Sequence, residues 1–309
     1  MQPLSRRTFL GVSVAAAGAA ALGTRAFAQP TDAKPKRTLR KAVMYGMVGA
    51  GKTIEDKFAI LRDTGFAGVE MDSPSNINLD DVLAAQAKTG IKVHGLVDSK
   101  HWDRACYLNA PVESAQEAGV KALETALRDG KRLGCTSILL VPGVVNAELS
   151  YDDCWKLTQK NIRKALPLAK ECNVKIAIEN VWNNFILSPM EAARYVDDFN
   201  DPMIAWHFDI GNVINYGYPD QWVKILGKRT AKLHIKDFSR KKRNDEGLWK
   251  GFDVELGDGD AGWASVMKAL DEVGYSTAPA GNWATAEVSG GDEKRLKTVS
   301  EQMDKLFSM

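Results

Sequence analysis

The sequence has few cysteines, few histidines and no excess of charge of either sign. Its 309 residues include four cysteines and four histidines. Cys106, Cys135, Cys154 and Cys172 form no C-x-x-C pair, which argues against a cysteine zinc site or a disulfide scaffold. Lys and Arg number 41 against 39 Asp and Glu, for a formal net charge of +2. So close a balance leaves no electrostatic footprint for nucleic acid or for an anionic membrane. A chain that is 45% hydrophobic and 26% charged is neither disordered, collagen-like nor a multi-span membrane protein. What remains is a globular protein of a length suited to one large α/β domain, since about 250 residues is typical of an eight-fold βα barrel.

The first 28 residues read as an address rather than as structure. Ser5-Arg6-Arg7-Thr8-Phe9-Leu10 leads into a charge-free run, rich in Ala, Val and Gly, that ends at Gly23 and is followed by Arg25-Ala26-Phe27-Ala28. This is the order of a signal peptide: a basic start, a short apolar run and an A-x-A site, with cleavage expected after Ala28. The run is shorter than the ~20 residues of a membrane span, so no stable anchor is expected. The paired arginines before Phe-Leu resemble a twin-arginine (Tat) signal. That resemblance implies the Tat export machinery as a partner, folding in the cytoplasm with any cofactor in place, and a periplasmic or exported destination. Residues 29–40, polar and basic with two prolines, read as a linker.

From residue 41 onward, short apolar runs alternate with amphipathic stretches. Strands are expected at 41–48, 66–72, 91–98, 135–142, 174–181, 203–210, 231–238 and 284–289, each rich in Val, Ile or Leu as in strands buried on both faces. Helical patterns fall between them at 53–64, 78–89, 114–133, 151–171, 188–199, 220–228, 262–273 and 292–307. Asn78, and Ser188 before Pro189, supply helix starts; Gly65, Gly90, Gly134 and Gly274 supply stops. Strict alternation predicts parallel strands joined by right-handed crossovers. An open doubly wound sheet would alternate likewise, but no G-x-G-x-x-G follows the first strand: Gly46, Gly49 and Gly51 are spaced wrongly. The expected fold is therefore a single-domain (β/α)8 TIM barrel over residues 41–309.

In such a barrel, catalytic groups sit at the C-terminal ends of the strands. Strand five ends in Glu179-Asn180, strand six in Asp209-Ile210-Gly211-Asn212, strand seven in His234-Ile235-Lys236-Asp237 and strand eight in Glu287. Four ionisable residues at the ends of four consecutive strands converge on one rim. Three carboxylates and an imidazole there would repel unless a cation held them together. Oxygen donors with one nitrogen suit Mn²⁺ best, with Mg²⁺ or Co²⁺ as alternatives.

These residues, in this order, resemble the metal set of the xylose isomerase-like TIM barrels, which include sugar phosphate isomerases and epimerases, hydroxypyruvate isomerase and the ketose 3-epimerases. Leu256-Gly257-Asp258-Gly259-Asp260 with Trp263 and Val273-Gly274-Tyr275 resembles that family's segment before strand eight. His101-Trp102 and Pro111-Val112-Glu113-Ser114 resemble its lid and third helix, and the likeness spans residues 41–307. The resemblance implies one divalent metal on Glu179, Asp209, His234 and Glu287. It also implies two facing glutamates, Glu179 and Glu287, that move a proton next to a sugar carbonyl through an enediolate. Trp102 is expected to line the lid, and Trp182 either the wall or the packing of the core.

The family commonly has a histidine three residues after the strand-six aspartate; here Asn212 stands there and cannot carry a proton as histidine does. The nuclease branch of the fold uses three metals and many histidines, which this chain lacks. Arg240 matches a substrate-contacting arginine of the epimerases. Lys236 shares the inward parity of His234 and is expected at the substrate, as are His101 and Trp102. Glu70 and His94 are further candidates for the pocket, whereas His207 is expected as a hydrogen-bonded core histidine. The small-molecule substrate is expected to be an unphosphorylated sugar, because phosphosugars belong to the cytoplasm. A lyase or hydratase of an oxidised sugar such as a 3-keto-glycoside, and a sugar-binding protein without catalysis, are the competing readings. A homo-oligomer is left open.

The signal makes one prediction. Replacing Arg6 and Arg7 with Lys leaves the protein folded in the cytoplasm, as cell fractionation would register. Export of the lysine variant at the parental level would point to an ordinary secretory route.

Overall fold

The computed structural model of the protein describes residues 36–309. The expected signal peptide and most of the expected linker lie outside the described residues. Eight parallel strands close into a barrel in chain order: β1 (Arg40–Met44), β2 (Gly68–Ser73), β3 (Lys92–Asp98), β4 (Ser137–Leu140), β5 (Lys175–Glu179), β6 (Ile204–Asp209), β7 (Thr230–Ile235) and β8 (Trp283–Ala286). Around it lie α1 (Ile54–Asp63), α2 (Leu79–Thr89), α3 (Glu113–Leu133), α4 (Tyr151–Cys172) and α5 (Pro189–Asp197). They are followed by α6 (Ile210–Ile214), α7 (Pro219–Leu226), α8 (Arg240–Glu246), α9 (Trp263–Glu272) and α10 (Glu293–Phe307). Every expected strand and helix is present, and the fold is the expected single-domain barrel. Among the described residues, no helix is long and apolar enough to cross a membrane.

Local chemistry sets the element ends. Thr53 accepts from Asp56 N at 3.1 Å while the Asp56 carboxylate accepts from Thr53 N at 3.0 Å, a reciprocal cap at the start of α1. Ser188 and Glu191 repeat the device at α5, with Pro189 in the first turn. Gly90 (φ 80°) and Gly134 (φ 80°) end α2 and α3 in the left-handed conformation that costs glycine least. Asn173 (φ 54°) does the same for α4. The core fills the space between barrel and helices, with Leu123, Leu127, Ile162, Val266, Val299 and Met303 completely buried.

Two short helices are absent from the sequence expectation. α6 is a single turn capped by the Asp209 side chain, which accepts from Asn212 N at 2.8 Å; five residues are too few to show a helical period. α8 is RKKRNDE, polar on all sides, and reads in sequence as a solvated basic loop; Ser239 caps it by accepting from Lys242 N at 3.2 Å. Residues 36–39, expected at the end of a linker, are tied to the barrel. Arg37 pairs with Asp271 at 2.8 Å, and Thr38 N donates to Ser276 O at 2.7 Å.

The segment before strand eight is organised by one carboxylate. Asp237, just past β7 and 2% exposed, accepts from Gly257 N (3.0 Å), Gly259 N (3.2 Å), Ala261 N (3.2 Å) and Trp263 Nε1 (2.9 Å). Gly259 has to be glycine, because a Cβ there would stand 2.1 Å from Asp237 Oδ1. A buried carboxylate with that many donors cannot be lost without stranding them. Asp237→Ala is expected to cost about 3–5 kcal/mol, read from urea unfolding. A loss below about 1 kcal/mol would show that the segment is held by its apolar contacts instead.

Candidate metal centre and sugar site

The barrel brings the strand-end residues together through its register. Glu179 pairs with His207 across β5–β6, and Asp209 with His234 across β6–β7. Ligand atoms of Glu179, Asp209, His234 and Glu287 lie within 4.8 Å of one another. His234 is the hub. Its Nδ1 lies 3.0 Å from Glu179 Oε1, 3.1 Å from Glu287 Oε2 and 3.9 Å from Asp209 Oδ2. Lys236 Nζ pairs with Glu287 Oε2 at 2.7 Å and Asp209 Oδ2 at 3.1 Å, yet neither oxygen meets a donor with hydrogen-bond geometry. Asn180 fixes the ends of β5 and β6: its Nδ2 donates to Asp209 O at 2.7 Å, and its Oδ1 accepts from Asp209 N and Trp206 Nε1, both at 3.1 Å.

Glu70 lies behind His234 rather than in the cavity. It is completely buried, and its Oε2 accepts from His234 Nε2 at 2.8 Å. A shift of register between Val69 and Glu70 sets Glu70 opposite Gly95. A Cβ on Gly95 would stand 2.8 Å from Glu70 Oε1, so the glycine makes the room. A proton held on Nε2 by Glu70 leaves Nδ1 to offer its lone pair to a metal. His207, expected as a satisfied core histidine, is buried as expected, but neither ring nitrogen has a hydrogen-bond partner. Its ring lies 4.2 Å from that of His234, and its Nδ1 is 3.9 Å from Glu70 Oε1.

Burial and charge pull these groups apart. Burial pushes the Glu179 carboxyl up to about 7 against the pull of His234, and Asp209 up to about 6 against Lys236. Burial acts the same way on Glu287, but Lys236 and His234 outweigh it and hold that carboxyl well below its ordinary value. Burial would depress His234, yet Glu287, Glu179 and Glu70 keep it well above the ordinary imidazole range. Four carboxylates (Glu70, Glu179, Asp209, Glu287) thus meet two basic side chains, His234 and Lys236. A divalent cation fits that imbalance, the oxygen-rich donor set and the two oxygens without donors.

A cavity of about 650 Å³ opens over the cluster, lined in part by Glu179, Glu287, His234, Lys236, Asn212, His101 and Trp102. These seven, and Trp182, which also lines the cavity, were expected there from the sequence. The sequence reading missed Asp72, Ser99, Trp249 and Phe252, which also line the cavity. Asp72 is the penultimate residue of β2, and strand parity with Glu70 could have found it; the two aromatics follow a polar helix with no period to read. His101 Nδ1 accepts from Val141 N at 3.3 Å, and burial lowers its imidazole to about 4, so it is a neutral donor.

Besides Glu70, two expected pocket residues lie elsewhere. His94 sits inside the barrel one layer nearer the N-terminal ends of the strands. It stacks on Trp283 at 4.5 Å, with Lys232 Nζ on Nδ1 and Thr285 Oγ1 on Nε2, both at 3.0 Å. Arg240 is turned away from the cavity because its guanidinium donates to Ile214 O (2.9 Å) and Gly217 O (2.8 Å), clamping the turn after α6.

With this geometry in view, comparison with known proteins is decisive for the family. A xylose isomerase-like TIM barrel model matches residues 58–307. The chain belongs to the xylose isomerase-like TIM barrel family. Within it, the chain is 22% identical over 238 residues to a putative L-ribulose-5-phosphate 3-epimerase of Haemophilus influenzae, covering 73% of this chain and 82% of that one. It is 25% identical over 133 residues to an inosose dehydratase of Clostridium perfringens, covering 39% of this chain and only 44% of the relative. The 3-keto-D-glucoside 4-epimerase YcjR of E. coli superposes with a TM-score of 0.71 at 16% identity, covering 88% of this chain and 100% of that one. A zinc-bound IolI protein superposes at 0.69 with 18% identity, covering 87% and 98%. These structural likenesses establish the fold alone. A sugar-phosphate epimerase, a putative hydroxypyruvate isomerase and a dehydratase are thus among the relatives of this barrel.

Glu70→Gln should weaken Mn²⁺ binding by about 10- to 100-fold, the usual cost of losing a ligand's outer partner. Titration calorimetry and the rise of Tm on adding Mn²⁺ both report it. Binding as tight as in the parent would remove the orienting role from Glu70.

Proposed function

We propose that the protein is a divalent-metal-dependent isomerase or epimerase that moves a proton beside the carbonyl of an unphosphorylated sugar in an exported compartment. The observation that carries this reading is the convergence of Glu179, Asp209, His234 and Glu287 within 4.8 Å at the floor of the cavity. A divalent cation held by these four, with Mn²⁺ the first choice, would polarise the carbonyl and acidify the neighbouring C–H. The two glutamates then divide the proton transfer. Glu287, kept ionised by Lys236 and His234, is the base. Glu179, the other glutamate of the cluster, delivers the proton. His101, neutral and buried, is placed to donate to a sugar oxygen, and Trp102 and Trp182 keep water from the reacting carbon.

Charge supports an unphosphorylated substrate. Lys236 is the one Lys or Arg among the described residues that line the cavity, and Asp209 and Glu287 already pair with it. The twin-arginine-like signal expected at residues 1–28 supports the exported location. A second reading, a lyase or dehydratase of an oxidised sugar, is favoured by the inosose dehydratase likeness and needs only one of the two glutamates as base. A binding protein without catalysis is disfavoured by the presence of both glutamates at the metal cluster.

Glu179→Gln and Glu287→Gln keep the side-chain shape and one coordinating oxygen but cannot act as bases. Each should lower solvent-deuterium entry into the substrate by about 10²–10⁴-fold, assayed with Mn²⁺ across unphosphorylated ketoses and 3-keto-glycosides. Metal affinity should fall less than in His234→Ala. Loss in Glu287→Gln alone, with β-elimination as the product, selects the lyase. Parental rates in both variants would leave the carboxylates as ligands only.

A further inference from the structure

The cavity is larger than one six-carbon ring requires, and one wall of it is aromatic and exposed. Its volume of about 650 Å³ is that of sites enclosing drug-sized ligands. Trp182 stands at the centre of the wall, its ring centroid 4.8 Å from that of Trp249 and 5.1 Å from that of Phe252. Trp249 is 68% exposed, and Trp102, another lining residue, is 50% exposed. Large apolar rings left open to water together, beside a polar centre, mark a place where something docks.

The wall is built rather than incidental. Trp182 Nε1 donates to Asn212 O at 2.8 Å, which fixes its indole. Phe252 packs edge-on against Phe238 at 4.8 Å. Gly251 lets the turn close on Phe238, since a Cβ there would stand 2.2 Å from that ring, and Gly251 O accepts from Ser239 N at 2.7 Å. The wall also has a fixed position relative to the metal cluster. Lys236 Nζ, 2.7 Å from Glu287 Oε2, lies 5.3 Å from the centroid of Phe252. The Trp249 ring centroid lies 6.4 Å from that of Phe252. A sugar whose reacting carbons sit at Glu179 and Glu287 therefore shares its cavity with this aromatic wall.

We propose that Trp182, Trp249 and Phe252 form a subsite for the second ring of a neutral, glycosidically extended sugar, so that the substrate is a glycoside or disaccharide rather than a free monosaccharide. The C–H faces of a pyranose, or an aromatic aglycone, cover such rings without needing a charged partner. Phosphate is disfavoured on the same wall, because the one Lys or Arg that lines the cavity, Lys236, is already paired with Asp209 and Glu287. This inference rests on the proposed sugar chemistry for its first ring, but its test does not depend on turnover.

The test is binding of D-glucose, cellobiose and phenyl β-D-glucoside to the Mn²⁺-loaded full chain, by calorimetry and tryptophan fluorescence. At least one extended probe should bind about tenfold or more tightly than glucose. Trp249→Ala should bring that ratio close to one, and Trp249→Phe should keep most of it. Equal affinity for all three probes, no binding of any, or a preference that survives Trp249→Ala overturns the subsite. So does a change of oligomeric state in Trp249→Ala, seen by sedimentation, with the ratio intact; the wall would then join copies of the chain. Deuterium entry is scored separately. Preference without exchange in any sugar overturns the proton-transfer reading and spares the subsite; exchange without preference does the reverse.

Discussion

Everything at the mouth of this barrel answers to one constraint: several carboxylates are buried within a few ångströms of one imidazole. Unpaired charge in such a place is expensive, so each group has to be held by a neighbour that is itself held. His234 meets Glu70, Glu179 and Glu287 at 2.8, 3.0 and 3.1 Å. Glu70 depends on Gly95 for room, Asp209 on Asn180 for its backbone, and Lys236 on its place just past β7 for reach. The cluster draws on β2, β5, β6, β7 and β8, so it exists only in the closed barrel. A small cost in one ligand is thereby spread over many contacts.

The fold and the first circle of residues were legible because both follow from periods. Strands buried on both faces leave continuous apolar runs, and an ionisable residue that ends such a run stands out against them. Glu179, Asp209, His234 and Glu287 could all be read that way. The rest depends on register and loop geometry, which leave no periodic trace. His94 and Lys232 meet one layer below the cavity because of where β3 pairs with its neighbours, and parity alone cannot tell layers apart. Glu70 reaches His234 through an irregularity in the β2–β3 pairing. Arg240 begins a helix instead of extending a loop, and that reverses the direction expected of its guanidinium. Trp249 and Phe252 lie in a short turn after a wholly polar helix, where no pattern announces a wall.

Asn212 joins the two halves of the site. The resemblance placed a histidine here, yet the asparagine is fully employed. Its Nδ2 donates to Asn180 O at 3.0 Å, its backbone N donates to Asp209 at 2.8 Å, and its O accepts from Trp182 Nε1 at 2.8 Å. One residue therefore ties the metal-facing aspartate to the aromatic wall. Two of these bonds run through the backbone of residue 212; the side chain's own part is the donation to Asn180 O. If the substrate lacks the oxygen that a histidine would contact, this exchange costs the chemistry nothing. What it supplies is a rigid link between the place where a proton moves and the place where the rest of the sugar is recognised. The division follows from the physics of the two regions: charge is concentrated where bonds change, and neutral aromatic surface is presented where only shape and apolar contact are needed.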